Sequence, residues 1–292
     1  MSCLWEAYAA CFRLLSPLHI GWRRVGNLQQ TRRYLPARNL WGALTARLAR
    51  LAGVSSSDQA GYKQVGESVE HNLRFSYFFP ISLPAGKTFP DLDANSRLSP
   101  WPWGDEEKFS WLFLSSQAST AINAAGTAEE GSLHDVEFIA PFTREKEPVG
   151  LFGYVFVRKN ALPDWQVAWH QGLQFGGERT YGWGRVQARD PELLPVAQSG
   201  RVRCFGYEVD LTVPEAPIFV LAAETHLLAH SRAQGLGCTG AVESLMVRET
   251  REGHFFGRYT KVLDVCWTPG SKLLQPARLA IDGQGIWYPA AG

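Results

Sequence analysis

The chain has 292 residues, with 45% hydrophobic and 20% charged side chains and a formal net charge of +1. That is an ordinary globular composition, which excludes a wholly disordered chain, and the length implies two packed units or one large one. The charge is uneven: residues 1–50 carry eight Arg and one acid, and residues 51–150 carry seven basic and fourteen acidic residues.

Leu4 to Leu15 reads as a strand stopped by Ser16-Pro17, followed by a polar loop from Gly21 to Arg33. Ala37 to Leu51 is the clearest helix, with Leu40, Ala43, Leu44, Leu48 and Leu51 at helical spacing, Pro36 before it and Gly53 after. Val54 to Gly66 reads as a polar loop and Leu73 to Pro80 as a strand. Residues 84–110, rich in Pro, Gly, Asp and Trp, read as an irregular insertion. Ser132 to Phe142 and Gly150 to Arg158 read as strands and Leu162 to Leu173 as a helix. Gln174 to Arg185 reads as a glycine-rich loop, with a short strand starting at Val186. This strand–helix–strand–strand–helix–strand order fits a ferredoxin-like α+β unit with insertions over residues 1–200. A smaller, β-rich α+β unit over 201–292 is expected to pack on it, with strands at 202–213, 218–222 and 254–267.

Two segments carry chemistry. The glycine-rich loop holds Gly176, Gly177, Gly182 and Gly184, interleaved with Arg179, Thr180, Tyr181, Trp183 and Arg185. Glycines let a backbone approach a ligand, and exposed N–H groups can form an anion nest, with the arginines on phosphates and the aromatics on bases. The alternative is a hairpin that uses glycine only to turn. The loop is neither a Walker A motif nor a dinucleotide fingerprint. In the loop after the first strand, Arg23, Arg24, Arg32 and Arg33 stand with His19 and Trp22. In a ferredoxin-like unit the two loops can meet at one sheet edge and form a groove for a nucleic-acid backbone. The alternative is a solvated loop without a ligand.

No catalytic motif stands out. His226 and His230, four apart, lack the Glu of a zinc-protease motif and read as one face of a helix. His134-Asp135 would point to opposite faces of a strand. Trp101, Trp103 and Trp111 read as surface-covering or interface aromatics. Five widely spaced cysteines (3, 11, 204, 238, 266) fit neither a disulfide framework nor a zinc pattern, and suggest a reducing, cytoplasmic compartment. No apolar run suggests a membrane span, and Met1 to Ile20 lacks a signal-peptide layout. No metal or cofactor is expected.

Four stretches, read together, resemble the RAMP superfamily of CRISPR-associated RNA-binding proteins. They are Leu15-Ser16-Pro17-Leu18-His19-Ile20-Gly21, Tyr34 to Leu44 (YLPARNLWGAL), Ala121 to Leu133, and Gly176 to Val186 (GGERTYGWGRV). Ala37 and Trp41 depart from the usual glycine and basic residue. The resemblance implies a subunit of a type III effector complex, especially the III-D variety, that holds the 5′ handle of the guide RNA (crRNA) without cutting it. It implies RNA contacts from His19, Arg23, Arg24, Arg32, Arg33, Arg38 and the 176–185 loop. The implied partners are the large subunit, the backbone RAMP subunits and target RNA. The absence of any acid from Gly21 to Arg33 argues against a target-cleaving backbone subunit, which would need Glu67 or Asp91 instead. A metal-independent guide-processing endoribonuclease using His19 as general base is the third reading.

Overall fold

The computed structural model describes residues 4–55, 57–83, 103–249 and 259–290. Strand β1 (Trp5–Leu14) leads into a hairpin of β2 (Gly21–Val25) and β3 (Leu28–Thr31), then α1 (Ala37–Leu51) and α2 (Gln59–Asn72). Next come β4 (Leu73–Phe75), β5 (Phe79–Ser82), α3 (Glu106–Phe113), β6 (Leu114–Ser119), β7 (His134–Ile139) and β8 (Val149–Arg158). Helix α4 (Trp165–His170) precedes the glycine-rich loop, and β9 (Val186–Ala188) and β10 (Glu192–Leu193) follow it.

The central sheet runs β10-β1-β8-β4, with β9 also on β1 and β5 also on β8. Strands β1 and β8 pair antiparallel from Trp5↔Arg158 to Arg13↔Gly150. With α1 after β1 and α4 after β8, this is the expected ferredoxin-like order. Strand β8 reads as an almost unbroken apolar run because both of its faces are covered. On one face α4 packs Trp169 against Phe12, at 4.3 Å between ring centroids. On the other, Tyr154 meets Phe205 at 4.7 Å and Phe156 meets Phe219 at 6.0 Å.

Those partners come from the second part of the chain. Strands β11 (Arg201–Cys204), β12 (Tyr207–Asp210), β13 (Ile218–Leu221), β14 (Ser231–Arg232), β16 (Val242–Glu249), β17 (Tyr259–Trp267), β19 (Ala277–Ile281) and β20 (Trp287–Pro289) form one sheet. Its order is β11-β12-β13-β19-β20-β14-β17-β16, and β15 (Cys238–Thr239) pairs separately with β18 (Lys272–Leu273). One hydrophobic core runs through both parts, from Trp5 to Trp287.

Several expectations are corrected. Residues 21–33 are not a loop: β2 and β3 form a hairpin turning at Gly26-Asn27, with Gly26 at φ +59°. All five β2 residues are exposed, so no apolar alternation marks the strand. The supposed loop 54–66 runs into α2, capped by Asp58, whose carboxylate accepts from Gly61 N–H at 2.9 Å. Its apolar stripe is thin, with only Gly66 and Val69 buried. Gly66 is bare because the Trp41 indole would lie 2.9 Å from any Cβ, and that indole donates to the Gly66 carbonyl. The strand expected at 73–80 breaks into β4 and β5. Ser76 takes over there, its N–H donating to the Tyr154 carbonyl and its hydroxyl accepting from Tyr154 N–H. The insertion contains α3, capped by Asp105, and β6 pairs with β7 in a four-stranded sheet, β2-β3-β7-β6. His226 and His230 do not lie on a helix: His226 forms a β-bridge with Lys272, and the His230 carbonyl accepts from Trp287 N–H at 2.8 Å.

Trp103 packs edge-on against Phe79 at 5.7 Å, and Trp111 is 56% exposed. Trp101, Asp91, Cys3 and the start of the 254–267 strand lie outside the described residues. The other four cysteines are buried and form no disulfide among the described residues. Among the described residues no helix is long and apolar enough to cross a membrane.

Candidate nucleic-acid interface

The chain leaving β1 meets the glycine-rich loop ahead of the arginine-bearing hairpin. As β1 ends, residues 15–19 run beside the glycine-rich loop. Leu15 N–H donates to the Arg185 carbonyl (2.9 Å), Gly184 N–H to the Pro17 carbonyl (2.7 Å) and Gly177 N–H to the His19 carbonyl (2.9 Å). Ser16 Oγ accepts from Arg185 N–H at 2.9 Å. Hairpin β2–β3 starts two residues after His19, and Trp183 reaches it through Phe138 of β7, at 5.0 Å between centroids.

These bonds change the meaning of the glycines. The N–H groups of Gly177, Tyr181, Gly182 and Gly184 are all donated inside the protein, so they do not form the expected anion nest. Gly176 (φ +77°) and Gly184 (φ +73°) are needed because backbone passes over backbone. A Cβ would lie 2.3 Å from the His19 carbonyl oxygen at Gly176, and 1.8 Å from that of Phe175 at Gly184. Gly182 (φ +82°) serves only the turn. What the loop turns outward is side chains: Arg179, Thr180, Arg185 and Tyr181, the last 80% exposed.

The arginines divide into two sets. Arg23 lies exposed with its guanidinium 4.0 Å over the Trp22 ring, and its Nε donates to Gln30. Arg24 donates to the Gly26 carbonyl. Among the described residues no acid pairs with Arg23, Arg24, Arg179 or Arg185. Arg33 instead pairs with Glu106 at 2.8 Å, and Arg38 bonds the Gln284 side chain. Arg38 and Arg179 face a common neighbour, Tyr62: burial raises its pKa, and both guanidinium charges pull it back.

Arg32 belongs to a buried cluster that the sequence did not announce. Its guanidinium pairs with Glu243 at 2.9 Å and donates to Tyr34 Oη at 3.0 Å. Glu243 also accepts from His230 Nε2, and His230 Nδ1 accepts from Tyr77 Oη at 2.7 Å. Tyr34 and Tyr77 stack at 5.4 Å. Burial raises the Glu243 pKa, but the His230 hydrogen bond and the Arg32 charge outweigh it and hold it at about 2. Burial, helped by Arg32, keeps His230 below its ordinary value despite Glu243. The cluster therefore holds a neutral imidazole and a carboxylate at neutral pH.

The sign of the resulting pH dependence follows. An unfolded chain accepts a proton on His230 near pH 6.5 that the folded chain refuses, so stability is full above that pH and falls below it. Glu243 adds a further loss between its ordinary 4.5 and about 2. The melting temperature should be flat from pH 8 to 7 and decline from 6.5 to 5, with His230 supplying at most about 1.4 kcal/mol per pH unit. His230→Gln should flatten that decline relative to the parent; equal slopes would remove His230 as its source.

His19 is only 6% exposed. Its Nδ1 donates to the Glu137 carbonyl at 2.7 Å, and its ring and carbonyl support Gly177. Glu67 sits exposed on α2, paired loosely with Lys63 at 3.8 Å. Among the described residues, no group of three or more His, Cys, Asp or Glu side chains could hold a metal ion.

Fold and site together define a ferredoxin-like α+β protein, extended by a second β-sheet, with exposed arginines and aromatics on the glycine-rich loop and on the β2–β3 hairpin. No family matches the chain, and no curated protein does. Among solved structures it is similar to a chain of Type III-B Cmr-beta bound to cognate target RNA and AMPPnP. That likeness has 16% identity and a TM-score of 0.49, covering 91% of this chain and 85% of that one. A second chain, from Cmr-beta bound to cognate target RNA, is 13% identical with a TM-score of 0.40, covering 63% and 96%. A third, from the apo state of Cmr-beta, is 11% identical with a TM-score of 0.37, covering 63% and 96%. With identities and scores this low, what the chain does must be read from its own residues.

Proposed function

We propose that the chain is a non-catalytic subunit of a type III CRISPR effector complex that holds the 5′ handle of the guide RNA. The observation that carries this reading is the meeting of the β1 end with the glycine-rich loop. It fastens the loop that carries Arg179, Tyr181 and Arg185 two residues ahead of the hairpin that carries Trp22, Arg23 and Arg24, and among the described residues no acid pairs with these arginines. Guanidinium groups on phosphates and rings on splayed bases are how single-stranded RNA is gripped. Arg32 and Arg33, committed to Glu243 and Glu106, act within the protein in this reading. A buried His19, bonded to a carbonyl, is better suited to bracing the loop than to taking a proton from RNA. The complex's other subunits and target RNA are its further partners in this reading.

The test is the double variant Arg179→Ala/Arg185→Ala. Each phosphate contact to a single strand contributes about 0.7 to the log–log salt slope, so losing two should make that slope shallower by about 1.4. Guide affinity at moderate salt should fall roughly tenfold, a loss of about 1.4 kcal/mol shared between two exposed contacts. The melting temperature should hold. Unchanged affinity and slope would take the loop out of the interface.

A further inference from the structure

We infer that the cleft between the glycine-rich loop and the β16–β17 ribbon seats one unstacked nucleotide of the guide strand, an inference that rests on the RNA-binding reading above. The cleft has a volume of about 250 Å³ and is walled by both parts of the chain. One wall is polar, with Arg38 and Asn39 in the first turn of α1, where no acid stands, and Gln284 beside them. The opposite wall is apolar: Leu245, Met246 and Leu263 of the ribbon. A lone phosphate has no use for the second wall, and a purely apolar ligand gains nothing from the first. A nucleotide uses both, with its phosphate toward Arg38 and the flat face of its base on the aliphatic side chains and the Met246 thioether. The volume lies just below the range of roughly 300–1,000 Å³ for small-ligand sites, so it suits a single nucleotide and not a stacked pair.

The ribbon carries a second, independent sign. Neighbouring residues on a regular strand face opposite ways. Here Leu245 pairs with Asp264 and Met246 with Val262, so Leu263 of β17 is an extra residue in the ribbon, and Leu263 lines the cleft. A bulge of this kind re-aims a side chain and is concentrated beside functional sites. Two residues before the slip, Glu243 is pinned to Arg32 and His230 of the buried cluster. The ribbon wall is thus held at a fixed height above α1 before any ligand arrives. Met246, 64% exposed, stands at the mouth.

The experiment uses the full chain and a series of guide-handle oligonucleotides, each carrying one 2-aminopurine, whose fluorescence rises when the base is unstacked. One position should brighten several-fold on binding. Leu263→Trp, which fills the cleft, should abolish that brightening, and Met246→Ser, at the exposed mouth where the fold is not at stake, should reduce it by half or more. Both variants should retain the salt-dependent binding supplied by Arg179 and Arg185. Binding without brightening at any position, or brightening that survives both substitutions, overturns the seat and leaves the RNA-binding reading standing. Failure of the parent chain to bind any oligonucleotide overturns both. Adenosine monophosphate supplies the last arm: if it raises the melting temperature and does not compete with the oligonucleotide, the cleft serves a free nucleotide and the strand assignment falls.

Discussion

Gly184→Ala should lower the melting temperature by about 6–12 °C, or leave the chain unable to fold. The left-handed backbone at this position (φ +73°) costs a non-glycine residue roughly 1–2 kcal/mol. The added Cβ would also stand 1.8 Å from the Phe175 carbonyl oxygen, a contact that only movement of the backbone can relieve. That movement breaks the Gly184–Pro17 and Phe175–Gly184 hydrogen bonds that fasten the loop to the end of β1. About 3 kcal/mol in all, at roughly 2–4 °C per kcal/mol for a chain of this size, gives the stated range. Gly182→Ala is the control. Its φ is +82° but nothing lies within 4 Å, so only the backbone cost of roughly 1–2 kcal/mol applies. Equal losses from the two variants would show that crowding against Phe175 is not what Gly184 relieves.

Glu243→Ala should be the most destabilising single charge removal, at about 3 kcal/mol. The carboxylate is the only acid that the Arg32 guanidinium and the His230 imidazole share among the described residues, and both sit in the join between the two sheets. Removing one partner of a buried pair costs roughly 3–5 kcal/mol because the other charge stays behind, and the 22% exposure of the Glu243 side chain argues for the lower end. Urea unfolding of this variant beside Arg23→Ala, whose exposed side chain should matter by less than about 0.5 kcal/mol, gives the comparison. A Glu243→Ala midpoint within about 1 kcal/mol of the parent would mean the cluster adds little to the join.

Where a segment buries an apolar face, the sequence was readable. Helix α1 starts and stops at Ala37 and Leu51 as expected, since Leu40, Leu44 and Leu48 form one buried stripe between Pro36 and Gly53. The β1–β8 centre was legible for the same reason. The misses are segments whose stability comes from elsewhere. Strand β2 has no buried side chain, and α2 is held by a cap and by Trp41 lying over Gly66. At the candidate site, element order was enough to predict that the chain leaving β1 approaches the glycine-rich loop. The destination of each glycine N–H was not legible, because Pro17 and His19 claim them only once the chain has closed. Nothing near Arg32 in sequence hints at Glu243 or His230, and the four-residue spacing of His226 and His230 imitated a helix that the surrounding strands forbid.

The two-sided burial of β8 sets the order in which this protein can be finished. Strand β13, in the middle of the second sheet, pairs with β19, and β20 closes beyond it, so that sheet waits until residue 289 has emerged. Until then Phe152, Tyr154 and Phe156 have no cover on the side that Phe205 and Phe219 will fill. At synthesis rates of roughly 5–20 residues per second, the wait is on the order of ten seconds. Contacts this distant along the chain also form slowly. A ribosome making this protein therefore displays a sticky aromatic stripe for longer than most elementary folding events take, and chaperone protection over that interval becomes part of what the sequence demands of its cell.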